Sequence, residues 1–133
     1  MIYIDTNVFI YSLIGDDEIS DFCVSVIKDI VNEKMSVCTS FLTWDEILYV
    51  LKKKIGREKA LEETRAFINI PNLIFIPVDR AVISKAQNLS ENYNLNPRDA
   101  IHAATAIINR CESILSDDSD FDKVKELKRK LLK

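Results

Sequence analysis

Short, uninterrupted β-prone runs alternate with longer stretches of helical period, and that alternation most narrowly limits how this chain can fold. Ile2–Ile4, "SVCTS" (residues 36–40), "LIFIPV" (73–78) and "SILS" (113–116) have strand length. None has the in-out alternation of a sheet with one wet face, so each is expected to be covered on both sides. Between them, residues 8–14 read as helical, and "GDDE" (15–18) breaks that run. From 19 to 34, Phe22, Val26, Ile27, Ile30 and Val31 recur with a 3.6-residue period. Trp44, Ile47, Leu48, Leu51 and Ile55 mark one face of a helix that stops near Gly56, and 57–70 continues as its partner. Residues 79–93 predict a helix with Val82, Ile83, Ala86 and Leu89 inward; 100–110 predict an alanine-rich helix, and 123–132 a basic C-terminal one. The pattern predicts an α/β fold, a three-layer α/β/α sandwich around a mostly parallel sheet, with residues 1–133 as one domain.

Apolar residues make up 47% of the chain, enough for a core without disulfides or a structural metal. The net charge of −3 gives no general attraction to polyanions, so any such binding needs a local basic patch or a cation. Cys23, Cys38 and Cys111 are odd in number, widely spaced and set in apolar runs, which reads as buried thiols in a reducing compartment. His102 is the only histidine, and no zinc pattern is present. Asp5 interrupts the first apolar stretch, against a signal peptide, and no apolar run approaches the roughly 20 residues that span a bilayer. A cytoplasmic protein is expected.

The acids cluster at strand-to-helix junctions. Asp5 follows the first strand, Glu46 lies near the start of the helix after "SVCTS", Asp99 opens the alanine-rich helix, and Asp117, Asp118 and Asp120 follow "SILS". In a parallel sheet such junctions share one carboxyl edge, where ligands bind. Helix capping is the competing explanation. Thr43 and Glu46 fit a capping box, Asn96 and Pro97 fit a cap and first helical position, and Asp5, Asn7, Asp118 or Asp120 suit other helix starts. Capping, however, is served equally by uncharged Ser, Thr or Asn. Several carboxylates packed together are costly unless a cation offsets them, and a hard ion such as Mg²⁺ or Mn²⁺ suits oxygen ligands.

"IYIDTNVFI", "TWDEILYVLKK", "NPRDAIHAATAI" and "ILSDDSDF" together resemble the four acidic motifs of the PIN-domain nucleases, and most closely the small VapC-type toxin ribonucleases. The resemblance implies Asp5, Glu46, Asp99 and Asp118 as the acidic set, with Asp45 a weaker rival to Glu46. It implies Mg²⁺ or Mn²⁺ held by Asp5, Asp99 and Asp118, and Glu46 serving a second ion or the attacking water. Thr6, Asn7, Ser116, Asp117 and Asp120 would be auxiliary. The activity implied is endonucleolytic cleavage of RNA. The partners implied are a cognate antitoxin laying a segment into the crevice and a second copy meeting the helices of residues 44–70.

Arg98, beside Asp99, is a candidate phosphate contact, although a neighbouring acid can also claim it. The lysines at 52–59 and 123–133 suit a phosphate backbone, or simply solvated helix ends. His102 among alanines reads as a packed residue rather than a ligand, and Phe9, Phe22, Phe41, Trp44 and Phe67 as core. Two other functions compete: a PIN scaffold that binds without cutting, and a phospho-acceptor domain. The acidic rather than basic late junction disfavours the second.

Overall fold

The computed structural model describes residues Met1–Lys133. Five parallel strands form one sheet: β1 (Ile2–Ile4), β2 (Val37–Ser40), β3 (Leu73–Ile76), β4 (Ser113–Leu115) and β5 (Arg129–Lys130). Their spatial order is β3-β2-β1-β4-β5. The six helices are α1 (Thr6–Ile14), α2 (Glu18–Val31), α3 (Leu42–Ile55), α4 (Arg57–Ile68), α5 (Arg80–Asn92) and α6 (Pro97–Ile108).

Adjacent residues of one strand feed opposite cores, which is why the strands lack a polar face. Ile4, Val37 and Leu115 join Val8, Phe9, Val26, Ile47, Leu51 and Phe67 beneath α1–α4. Tyr3, Cys38 and Ile114 join Leu89, Ala103, Ala106 and Phe121 beneath α5 and α6. The three-layer expectation therefore holds. Gly56 ends α3 at φ +86, a left-handed conformation that favours glycine.

The C-terminus departs from expectation. Residues 123–132 do not form a helix. A 3-10 turn over Ser119–Lys123 leads into β5, which extends the sheet beside β4. The Ile114 and Ser116 N–H groups donate to Lys128 and Lys130 carbonyls, giving β4 a partner it would otherwise lack. Val124 and Leu127, whose spacing imitates a helix, instead cover the second core, while Leu132 reaches the first. A bidentate Arg129–Asp122 pair, both contacts 2.9 Å, secures the turn.

Some inward assignments also fail. Trp44 is 42% exposed, Phe41 53% and Ile83 48%, whereas Phe9 and Phe67 are buried as expected. No helix is long and apolar enough to cross a membrane.

Candidate functional site

The spatial order of the sheet reverses between β1 and β4, and the chain leaves both strands at the same edge. That is the switch point at which open α/β sheets form a crevice. Asp5 follows β1, and Ser116–Asp118 follows β4, so residues more than a hundred positions apart meet there.

Asp5 is buried and firmly held. Its carboxylate accepts from Ser116 Oγ at 2.6 Å, Thr6 N–H at 2.8 Å and Asn7 Nδ2 at 3.3 Å. Asn7 Nδ2 also donates to Ser116 Oγ at 3.2 Å, closing the ring of contacts. Burial pushes the Asp5 carboxyl upward, opposed by His102 and the Ser116 bond. Asp5 does cap α1, so capping and site placement coincide in one residue.

Asp99, at the start of α6, faces Asp118 and Asp120. One oxygen from each lies within 4.8 Å of the others, and all three residues are half-buried. Burial, then the charges of Asp118 and Asp5, push Asp99 up to about 6. Asp118 N–H donates to Ser116 Oγ at 3.0 Å, and its carboxylate accepts from Asp120 N–H at 2.9 Å. Asp120 also pairs with Lys123 at 3.1 Å. The tight trio thus contains Asp120 rather than Asp5, which lies deeper yet still acts electrostatically on Asp99. Asp117 turns away, accepting from Tyr11 Oη at 3.0 Å. The donor set is all oxygen, anionic and partly desolvated, which fits a hard divalent cation.

Glu46, not Asp45, faces the crevice. Thr6 Oγ1 donates to Glu46 at 2.8 Å, and His102 Nε2 forms a second, close contact with the same oxygen. Burial would raise Glu46, but the bond and charge of His102, with the Thr6 bond, hold it below its ordinary value. The capping box is absent: α3 has no side-chain cap, and Thr43 Oγ1 instead meets Thr39 Oγ1 at 2.7 Å. Asn96 makes no cap bond either, although Pro97 occupies the first turn as expected. Asp45 is exposed and lies 3.7 Å from Arg98, whose side chain is itself 60% exposed. Arg98, Asn96, Pro97, Glu46 and Asp99 line an open cleft at this edge.

His102 is the residue that sequence reasoning left out. It is packed, as expected, but it lies beneath the acids and joins them to the sheet. Ser40 N–H donates to Tyr3 Oη at 3.1 Å, and Tyr3 Oη lies 2.5 Å from His102 Nδ1. Two proton arrangements fit these contacts: Tyr3 Oη donates to a neutral ring protonated at Nε2, or a charged ring donates from both nitrogens. Burial disfavours charge on the ring, but the Glu46 bond and the Asp5 charge prevail and raise its pKa.

The PIN domain family model matches residues 2–127. Ribonuclease VapC6 of Methanocaldococcus jannaschii is 24% identical over 144 aligned residues, covering 92% of each protein. VapBC2 from Rickettsia felis, solved bound to a promoter DNA fragment, superposes with TM-score 0.79 at 16% identity, covering 98% of both chains. Mycobacterium tuberculosis VapC20, a Sarcin-Ricin loop cleaving toxin, gives 0.74 at 16% identity, over 92% of this chain and 93% of that one.

Proposed function

Because this chain belongs to the PIN-domain family, we propose that it is a Mg²⁺- or Mn²⁺-dependent endoribonuclease, the toxin of a toxin–antitoxin pair. The observation that carries this reading is the meeting of Asp99, Asp118 and Asp120 within 4.8 Å, beside Asp5 and Glu46. The kinship with VapC6 supports the choice of RNA.

Asp99, Asp118 and Asp120 would hold the cation, with Asp5 beside them adding negative charge. The bound cation would offset phosphate charge, acidify a water and stabilise the leaving oxygen. Glu46 would orient the attacking water and accept its proton. His102 and Thr6 fix the Glu46 carboxylate, while Ser116 and Asn7 fix Asp5. Arg98 draws the phosphate backbone into the open cleft, exchanging Asp45 for the substrate.

An antitoxin and a second copy are the proposed partners. Trp44, Tyr49 and Ile68 on α3 and α4, with Phe41 and Ile74 alongside, expose apolar surface suited to a homodimer. The carboxylates at the edge suit a basic antitoxin segment. The reducing cytoplasm is the proposed location.

The test is cleavage of a structured RNA with and without Mn²⁺, beside Asp5→Asn and Asp99→Asn. The expected result is metal-dependent cleavage that each substitution lowers roughly 1,000-fold. Cleavage indifferent to metal and to both substitutions would refute the proposal. Cation binding without cleavage by the wild type would favour a binding scaffold.

A further inference from the structure

We infer that Cys38 and Cys111 form a redox site, which a peroxide converts into a disulfide joining β2 to the end of α6. Their sulfurs lie 3.4 Å apart although the residues are 73 positions apart in the chain. Neither backbone is loose. Cys38 lies within β2, in register with Tyr3 on one side and Ile74 on the other. Cys111 follows α6 in a Schellman arrangement: its N–H donates to Ala106 O at 2.9 Å, Arg110 N–H donates to Ile107 O at 3.0 Å, and Arg110 has φ 55. The sulfurs must approach by only about 1.4 Å to reach bonding distance.

The two thiols differ in a way that defines their roles. Cys38 is buried, whereas Cys111 is only half-buried and is the one an oxidant meets. The Cys38 thiol, donating to the Cys111 sulfur, favours thiolate at Cys111 and is itself held strongly protonated. The Cys111 thiolate attacks one peroxide oxygen and breaks the O–O bond; the departing hydroxide takes a proton and leaves as water. Cys111 is then a sulfenic acid. The Cys38 sulfur attacks the Cys111 sulfur, the S–O bond breaks, and the hydroxyl leaves as a second water with the Cys38 proton. Two thiols are oxidised and one peroxide is reduced.

Cys111 precedes β4, at the edge of the sheet opposite the carboxylates. The crosslink therefore constrains the long loop without touching Asp5, Asp99 or Glu46, and it stands whether or not the chain cleaves RNA. Cys23 is buried in the other core, away from this pair, and serves as an internal control.

The full-length reduced protein is treated with stoichiometric hydrogen peroxide, denatured, alkylated and mapped by mass spectrometry. The expected result is labelling of Cys23 alone, a linked Cys38–Cys111 peptide that dithiothreitol releases, and a Tm raised by about 10 °C. Cys111→Ser removes both the link and the Tm shift, and Cys23→Ser preserves them. Labelling of all three thiols overturns the proposal. So does sulfinic acid at Cys111 with Cys38 still labelled, or a link that joins two copies.

Discussion

The two sides of the acidic edge are built on opposite principles. Around Asp5 every bond is made in advance: Ser116, Thr6 and Asn7 converge on a carboxylate that water hardly reaches. Around Asp99, three carboxylates face one another half-exposed; Lys123 pairs with Asp120, while Asp99 answers the remaining repulsion with a raised pKa. The first side is a rigid reference point, whose hydrogen bonds oppose the cost of burying the carboxylate. The second stores unfavourable charge that a bound cation would relieve.

Substitution should separate the two sides by sign. Asp5→Ala leaves the buried Ser116 hydroxyl without its acceptor and removes one of the two Asn7 contacts, and should destabilise the chain by about 3 kcal/mol in urea unfolding. A neutral result would make both sides alike. His102→Gln, which loosens Glu46 from the sheet, should lower stability by about 2 kcal/mol and kcat by roughly 10- to 100-fold with KM little changed.

Asp99→Asn should act in the opposite direction, stabilising the metal-free chain by roughly 1 kcal/mol after solvent screening. The sign follows from the raised pKa. The folded carboxyl keeps its proton above the unfolded value of 3.8 and up to about 6. Wild-type stability therefore falls across that window as pH rises, relative to Asp99→Asn. Unfolding midpoints of the two proteins at pH 4 and pH 7 measure the gap, and millimolar Mn²⁺ should close it. Asp120→Asn should change metal-free stability by less than about 0.5 kcal/mol, because Lys123 already neutralises that carboxylate at the surface.

How well each side could be read from the sequence follows from how local its cause is. Asp5 and Asp118 follow β1 and β4, so their meeting at one edge was foreseeable from topology. Asp99 opens α6 directly after another helix, not at the strand-to-helix junction expected for it, and strand order alone does not bring it there. Glu46 and Asp45 were inseparable by periodicity, and only the bonds to Thr6 and His102 tell them apart. His102 gave no neighbouring signal, since its partners Tyr3 and Glu46 lie 99 and 56 residues away. One clue existed: α6 is buried over most of its length, and a polar ring on such a helix requires a partner. The misread C-terminus has the same origin. Val124 and Leu127 have helical spacing, yet the open edge of β4 claims their backbone region for the sheet.

The central position of β1 has a consequence for synthesis. β1 is made before its neighbour β4, and the Ser116 hydroxyl that fixes Asp5 follows 111 residues later. Such long-range closure is slow and waits until β4 and Ser116 have been made. A nascent chain therefore carries its acids scattered, and the assembled centre arises only after the segment that follows β4 has emerged.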